Sequence, residues 1–439
     1  MTDTIDRTGA SGTDDPAEEL ARWLESNWDP DLTVGEWWDR LGNEGWSAPA
    51  WPTEWYGRGL SREDAVRVGR VLADHGALGP PGGLGLLLAG PTIVTHGTDE
   101  QKARYLKDIV TGQKAWCQLF SEPGAGSDLA GLQTRAVKDG DEWVVDGQKV
   151  WTSGGQVADL GMLLARTDAD VPKHQGISYF ALEMHQGDAI DVRPLKEMTG
   201  RALFNEVFMT EARVHDDALI GGLNNGWAVA NTTLAFERAG LGAGGGSAAA
   251  SAATPGTVAG DLDKRAGDFV GRARRGGPGG ALGGAEQLIL ELAKGNGRIG
   301  DKVFRQELMR LHTLNELARF TNLRSKAERE AGREIPGAGN LAKLSMSNIL
   351  RLSRELGLSV LGGYGTLHAY GDDRKALDEA TGNPFAAMIT EMALFSPGPS
   401  IYGGTDQVQR NIIGERILGL PKEPSNDRTT PFRELPKNG

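Results

Sequence analysis

The chain has 439 residues, of which 39% are hydrophobic and 24% are charged, so it is long enough for two or three domains with a sizeable core. Its formal net charge is −12 and its pI is near 5.2, which argues against a nucleic-acid partner and against an anionic membrane surface. The longest apolar run, around Leu84 to Leu88, is far too short to span a bilayer.

Cysteine usage and the N-terminus indicate the compartment. A single cysteine, Cys117, excludes an intrachain disulfide and fits a reducing environment. Because it lies in an apolar run, burial is favoured over nucleophilic chemistry. Residues 1–17 are polar, without the apolar segment of a secretory signal, and predict a disordered N-terminus. We therefore expect a cytoplasmic protein.

Helical patterns cover residues 18–115, which predict an N-terminal helical domain. Ser61 and Thr98 each precede acidic residues, the pattern of a helix N-cap followed by a favourable first turn. Between residues 45 and 59, tryptophans and prolines form an extended loop. These tryptophans pack between helices or provide a platform for a sugar or an aromatic ligand, and the pattern favours packing.

Strand patterns replace helical ones over residues 116–222, which predict a middle antiparallel β domain. The clearest runs cover residues 160–164, 177–182 and 205–209. Asp146-Gly147 is a strong two-residue turn signal, so we predict a hairpin in which residues 149–152 form the returning strand.

Residues 223–424 predict a C-terminal helical bundle, followed by a tail over 425–439. Helical segments are predicted over 285–293, 301–331 and 339–361, with a final helix after the glycines at 403 and 404. A Gly/Ala-rich insert over about 240–284 has few large apolar residues and reads as irregular structure or a frayed helix. Its arginines, Arg272, Arg274 and Arg275, suit a flexible loop better than a phosphate site. The predicted fold class is therefore α+β.

The segment from Phe120 to Asp128 joins an apolar strand to a glycine-rich turn with hydroxyl groups at both ends. Such a turn lets backbone N–H groups approach a ligand closely, because glycine lacks a Cβ. With the tryptophan of the predicted returning strand, it suggests a pocket for a flat, polar-edged ligand. The alternative is a β domain with ordinary turns.

Glu237 carries the sharpest chemical signal in the chain. It continues a helical stripe begun by Trp227, Ala230 and Leu234, so it is expected on an apolar face. Burial there would raise its pKa towards the range of a general base. The alternative is a salt bridge with Arg238, although consecutive helix residues do not face one another.

These motifs resemble the flavin-binding signature of the acyl-CoA dehydrogenases, Thr/Ser-Glu-Pro-x-Ala-Gly-Ser-Asp followed by Gly-x-Lys-x-Trp-Ile-Thr. Residues 121–128 and 147–153 match it at the family's spacing, and the resemblance covers nearly the whole chain beyond the first twenty residues. It implies the acyl-CoA dehydrogenase fold, FAD as cofactor, and an acyl-CoA substrate. It also implies an electron-transfer flavoprotein or similar acceptor, a homodimer or homotetramer, no metal, no nucleic acid and no membrane insertion.

The resemblance implies an unusual position for the catalytic base. Most members place a glutamate in Tyr-Glu-Gly-Thr, where this chain has Tyr402-Gly403-Gly404-Thr405. In the long-chain and isovaleryl branches the glutamate immediately precedes an arginine on another helix, which corresponds to Glu237 and Arg238. Glu237 is then the base, Arg238 a substrate contact, and the Gly403 N–H a donor to the thioester carbonyl.

The cofactor contacts implied by the resemblance form two groups. The first surrounds the flavin and its pyrophosphate and comprises Gln118, Phe120, Ser121, Ser127, Trp151 and Ser153. The second reaches the FAD of another subunit and comprises Gly362, Gly363, Thr405 and Gln407. The family's Arg-x-x-Phe-Gly segment is not recognisable here, and Arg298 is only a candidate for its arginine.

The predicted activity is α,β-dehydrogenation of an acyl-CoA to the trans-2-enoyl-CoA, with Glu237 taking the proton and flavin N5 the hydride. Two alternatives stay open: an assisting subunit of a mixed tetramer, and a flavin monooxygenase or oxidase on the same fold. The sequence leaves the acyl group open.

Overall fold

The computed structural model describes residues 15–242, 252–271, 284–383 and 385–436. The first part of the chain is helical. Its helices are α1 (Pro16–Asn27), α2 (Val34–Asn43), α3 (Arg62–Asp74), α4 (Gly90–His96) and α5 (Asp99–Val110). Both predicted caps are confirmed: Ser61 Oγ accepts from the Asp64 N–H at 3.1 Å, and Thr98 forms a capping box with Gln101. Most of the predicted disordered N-terminus lies outside the described residues.

The tryptophans of the N-terminal part are packing residues. Trp46 is 1% exposed, and Trp37 and Trp38 on α2 are fully buried. Trp51 lies against the start of α4, where a Cβ on Gly90 would come within 2.2 Å of its ring. The packing interpretation is therefore confirmed, because these rings fill the space between helices.

The middle of the chain forms one eight-stranded sheet. Its strands are β1 (Trp116–Leu119), β2 (Arg135–Asp139), β3 (Glu142–Ser153), β4 (Leu160–Arg166), β5 (Ile177–Glu183), β6 (Ile190–Leu195), β7 (Phe204–His215) and β8 (Leu219–Ile220). The order is β6-β7-β3-β2-β4-β5-β8, with β1 paired to β4. Most neighbours are antiparallel as predicted, but β1 and β2 both run parallel to β4, so the sheet is mixed.

The predicted turn at Asp146-Gly147 is wrong, because residues 142–153 form a single strand. The hairpin turn instead lies at Gly140, where φ is +64°. At Gly147 the register with β7 shifts, and a Cβ there would come within 2.3 Å of Thr134 Oγ1. The dipeptide is a β-bulge inside a long strand, because β7 pairs with β3 on both sides of it.

The last part of the chain is helical, as predicted. Its helices are α6 (Gly226–Gly242), α7 (Ala285–Gly295), α8 (Lys302–Glu330), α9 (Ala338–Leu361), α10 (Asp373–Thr381), α11 (Ala386–Phe395) and α12 (Asp406–Ile412). Helices α7, α8, α9 and α11 share one apolar core, whereas α6 buries Val229 and Ala230 in the core of the sheet. Helix α6 therefore connects the sheet to the C-terminal helices. Within the described residues, no helix is long and apolar enough to cross a membrane.

Part of the Gly/Ala-rich insert packs on the N-terminal helices. Over residues 252–271 it is irregular, as predicted, yet it is held at the start of α2, where Val34 and Gly35 donate to its carbonyls at 2.8 Å. Ala253 and Ala266 are buried in the core of that part. Its small residues fit close to other backbones, since Ala266 and Gly267 donate to the carbonyls of Leu32 and Pro30 at 2.8 and 2.9 Å. The prediction that the insert would not order fully rests mainly on residues 243–251 and 272–283, which lie outside the described residues. The three arginines at 272, 274 and 275 lie outside the described residues.

Candidate functional site

The glycine-rich turn projects from the end of β1. Glu122 and Ala125 exchange two backbone hydrogen bonds of 3.0 Å each, which close the turn tightly. Ser121 before it is half-buried, and Ser127 after it is exposed. A Cβ placed on Gly126 would have no heavy atom within 4 Å. The outer face of the turn is therefore open space lined by hydroxyl groups and backbone.

A buried ion pair holds this turn against β3. Lys149 Nζ lies 2.8 Å from Glu122 Oε1 and donates to the Phe120 carbonyl at 3.0 Å. The other contacts of the carboxylate are the N–H groups of Gln133 and Thr134, at 2.6 and 3.0 Å. The pair was not predicted from the sequence, although each of the two motifs supplies one of its residues and their charges are opposite.

Burial and the partner's charge have opposite effects on the pKa of each residue of the pair. Burial by itself would raise the pKa of Glu122, but the Lys149 charge and the hydrogen bonds outweigh it and hold the pKa below its ordinary range. Burial lowers the pKa of Lys149, and Glu122 offsets part of that effect. The pair therefore fixes the turn by a charge-assisted contact shielded from water.

Trp151 lies beside the turn in an unusual conformation. Its φ is +63°, in the left-handed region, at a second register shift of β3. The residue is 56% exposed, and its ring meets that of Phe204 edge-on with centroids 5.9 Å apart. The Val150 N–H donates to the Ser121 carbonyl at 2.9 Å, which ties this segment to the turn. An exposed aromatic ring therefore lies next to the hydroxyl-lined turn, with Ser153 at the end of the same strand.

Glu237 lies on α6 and faces the sheet. Its carboxylate shares a hydrogen bond with the side chain of Gln118, which lies on β1 just before the turn. Burial raises its pKa, although this hydrogen bond and the charge of Arg238 oppose the shift. Arg238 is itself partly buried and lies near Arg416, and burial lowers its pKa. The helix thus presents a carboxylate with raised proton affinity close to the start of the turn.

A polar contact one turn earlier sets the position of α6. Thr233 Oγ1 lies 3.0 Å from Thr92 Oγ1 on α4, and both residues are fully buried. This contact anchors the helix to α4 four residues before Glu237.

The segment before α12 presents a backbone donor. Gly403 and Gly404 have φ of +64° and +80°, which favour glycine. Gln409 Nε2 donates to their two carbonyls at 2.8 and 3.3 Å, and its Oε1 accepts from Asn340 at 2.6 Å. In the described part of the chain, no carbonyl accepts from the Gly403 N–H. Among these residues, the Gly403 N–H is a donor without an acceptor.

A charge cluster around the buried Asp406 supports the same segment. Thr405 caps α12 by accepting from the Val408 N–H at 3.1 Å. The next residue, Asp406, lies 3.1 Å from both Lys343 and Arg351 on α9. The loop that carries Gly403 is therefore attached to α9 through Asp406 in the first turn of α12.

The remaining predicted site residues lie apart. Gly362 and Gly363 are exposed at the end of α9, and Gln407 is exposed on α12. Among the described residues, no hydrogen bond or ion pair links them to the glycine-rich turn. Arg298 is also exposed and pairs with Asp301 at 3.5 Å. The structure therefore joins Gln118, Ser121 and Glu237 around one turn. Of the second predicted group, Gly362, Gly363 and Gln407 lie on the surface of the C-terminal helices and Thr405 is half-buried at the start of α12.

Three family models match the chain in succession. They are described as acyl-CoA dehydrogenase N-terminal domain, middle domain and C-terminal domain, and they match residues 14–113, 117–211 and 276–418.

Similar proteins agree with these matches. Acyl-CoA dehydrogenase IpdE1 of Mycobacterium tuberculosis is 34% identical over 387 residues, which cover 88% of each protein. Acyl-CoA dehydrogenase FadE34 of the same organism is 47% identical over 204 residues, which cover 46% of this chain and 28% of that protein.

Solved structures also match. The ChsE4-ChsE5 complex from Mycobacterium tuberculosis has a TM-score of 0.66 at 27% identity and covers 94% of this chain and 100% of that one. The Tcur3481-Tcur3483 steroid ACAD has a TM-score of 0.66 at 25% identity, with coverage of 93% and 97%.

Proposed function

The chain belongs to the acyl-CoA dehydrogenase family of FAD-dependent oxidoreductases, and we propose that it converts an acyl-CoA to the trans-2-enoyl-CoA with Glu237 as the base. The single observation that carries this proposal is the Glu237 carboxylate, whose proton affinity is raised by burial and which contacts Gln118 beside the glycine-rich turn. A carboxylate in that setting suits proton abstraction from a weakly acidic carbon.

The residues around the turn fit FAD. The open space at Gly126 leaves room for a phosphate group to approach the backbone, and Ser127 offers a hydroxyl there. The exposed ring of Trp151 suits a flat isoalloxazine, with Ser121 and Ser153 near its polar edge. Gln118 and Phe120 complete this group. When bound, FAD supplies the hydride acceptor at its N5 atom.

Glu237 removes the α-proton. Its neighbours keep it within reach of the turn, because Gln118 orients the carboxylate and the Thr92–Thr233 contact fixes the helix. Arg238 follows on the same helix and provides a cation for the substrate. The raised pKa makes the carboxylate a stronger base than an exposed glutamate.

Gly403 polarises the thioester. Its N–H, which has no acceptor among the described residues, donates to the carbonyl oxygen, where negative charge develops as the α-proton leaves. One donor of this kind is worth roughly 3 kcal/mol in the transition state. Gln409 holds the two glycine carbonyls, which keeps the N–H in a constant direction.

The test is anaerobic flavin reduction by a panel of acyl-CoAs, from short linear chains to a steroid-bearing thioester. Glu237→Gln should slow reduction by about 10²–10⁴-fold while FAD and acyl-CoA still bind. Glu330→Gln, an exposed carboxylate at the end of α8, is the matched control. Gly403→Glu in the Glu237→Gln background should restore part of the rate. A wild-type rate in Glu237→Gln refutes the assignment of the base.

We also propose self-association and an electron-transfer flavoprotein as acceptor. Gly362, Gly363, Thr405 and Gln407 serve the FAD of another copy in this proposal, consistent with the exposure of the glycines and Gln407. Helix α8 exposes Leu317, Phe320 and Leu323 by 58%, 56% and 51%, a face suited to a second copy. The second candidate is an assembly with an unlike chain, because two of the similar solved structures are named as pairs of unlike chains.

A further inference from the structure

The C-terminal tail is docked on the middle of the chain. Phe432 donates its N–H to the Val171 carbonyl at 2.9 Å, and Arg433 donates to that of Ala169 at 3.0 Å. These acceptors belong to the loop over 167–176, which joins β4 to β5. The tail lies beyond residue 418, where the family match ends, so the C-terminal domain model does not describe it.

One anchor of the tail is an aromatic ring. Phe432 is 9% exposed, and the Arg166 guanidinium lies 3.7 Å from its ring centroid. The same guanidinium donates to the carbonyls of Lys173 and Ala130, at 2.5 and 2.6 Å. Because Ala130 lies two residues after the end of the glycine-rich turn, Arg166 connects the tail, the loop and the residues that follow the turn.

A second anchor is ionic. Lys173, whose side chain is 8% exposed, lies 2.9 and 3.0 Å from the two carboxylate oxygens of Asp128. The same ammonium pairs with Asp427 of the tail. Asp128 is the last residue of the glycine-rich motif, so a nearly buried cation joins the turn to the tail.

The loop also reaches the helix that carries Glu237. The ring of His174 meets that of Trp227 in the first turn of α6, with centroids 4.9 Å apart. Thr167 Oγ1 lies 2.6 Å from Asn224 Oδ1 just before the helix. The tail, the turn and the start of α6 therefore all meet at residues 167–176.

We propose that residues 426–434 act as a latch that holds the glycine-rich turn in its ligand-binding form, with Lys173 and Arg166 as positioning residues. The inference rests on the proposed function for the identity of the ligand, FAD. Without the tail, the Phe432 ring no longer covers one face of the Arg166 guanidinium, which is then open to water. Lys173 also loses Asp427 and keeps only Asp128 as a carboxylate partner. Both changes loosen the two links that end at Asp128 and Ala130.

Three variants test the latch. One ends the chain at Ser425, one is Phe432→Ala, and one is Asp427→Asn, which keeps the shape of the side chain. The control is Arg433→Ala, on the same tail. Arg433 pairs with Asp170 of the loop at 2.8 Å, but both side chains are more than 60% exposed, and such exposed pairs contribute little.

The first measurement is hydrogen exchange of peptides covering residues 121–134, with and without FAD, and peptides of α9 serve as the internal reference. Exchange should be at least about tenfold faster in the three variants, and unchanged in the control and in α9. Unchanged exchange in Phe432→Ala and Asp427→Asn overturns the latch.

The second measurement is FAD affinity by flavin fluorescence. The dissociation constant should rise about tenfold in the three variants and stay constant in the control. Faster exchange with an unchanged constant overturns the coupling of the latch to the cofactor. Failure of the wild-type chain to bind FAD refutes the proposed function instead, whereas hydrogen exchange in the turn still decides whether the latch exists.

Discussion

Replacing Lys149 by methionine should strongly destabilise the protein, because it leaves a buried carboxylate without its counter-charge. Lys149 is fully buried and Glu122 is 8% exposed, so water cannot substitute for the missing ammonium. Removing one partner of such a pair typically costs about 3–5 kcal/mol. The Phe120 carbonyl also loses a donor, which adds about 1 kcal/mol.

A double variant separates the charge from the packing. In Lys149→Met/Glu122→Gln the unpaired charge is gone, and the single amide oxygen of the glutamine still accepts from one of the two N–H groups, that of Gln133 or that of Thr134, which in the native pair donate to different carboxylate oxygens. The double variant should therefore be more stable than Lys149→Met alone. The control is Lys138→Met, since the Lys138–Asp216 pair is exposed and such pairs contribute about 0–1 kcal/mol.

The assay is urea unfolding followed by tryptophan fluorescence and far-ultraviolet circular dichroism. If Lys149→Met lowers the free energy of unfolding by less than about 1 kcal/mol, as Lys138→Met is expected to, the buried pair does not hold the turn in place.

Three further outcomes are expected. Because burial raises the pKa of Glu237, the native state binds the proton of this carboxyl more tightly than the unfolded chain does, and stability is lost as the pH rises from about 4.3 through the raised pKa. Glu237→Gln should therefore raise the Tm at pH 8 but not at pH 3.5. Equal changes in Tm at the two pH values would contradict this. Gln409→Leu releases the carbonyls of Gly403 and Gly404 and should slow flavin reduction about tenfold with FAD content unchanged, whereas an unaltered rate would show that the loop does not need this support. Phe320→Asp, on the exposed face of α8, should lower the sedimentation coefficient of the purified protein, and an unchanged coefficient would remove α8 from the proposed interface.

The sequence predicted correctly those features that depend on contacts between residues close together in the chain. The caps at Ser61 and Thr98 depend on contacts within three residues, and both are present. The helical stripe leading to Glu237 follows from the period of 3.6 residues, and burial of the carboxylate agrees with it. The contact with Gln118, in contrast, joins residues 119 positions apart and has no signal in either segment.

Pairing over long distances changed the interpretation of several segments. Asp146-Gly147 has the composition of a turn, yet β7 pairs with the strand on both sides of it and makes it a bulge. The small residues of the insert gave no sign of order, but Ala266 and Gly267 donate to the carbonyls of Leu32 and Pro30 just before α2, because their small side chains leave room for close backbone contact.

The division between sequence and tertiary structure is clearest around the glycine-rich turn. Its residue types alone predicted a ligand-binding turn, since glycines and hydroxyl groups determine what the backbone there is able to contact. What holds the turn was decided only by the fold, which brings Lys149, Lys173 and Phe432 to it from three distant parts of the chain. The physical reason is that a lysine or a phenylalanine looks the same in sequence whether it is exposed or buried. Only packing removes water from its partner and makes the contact strong.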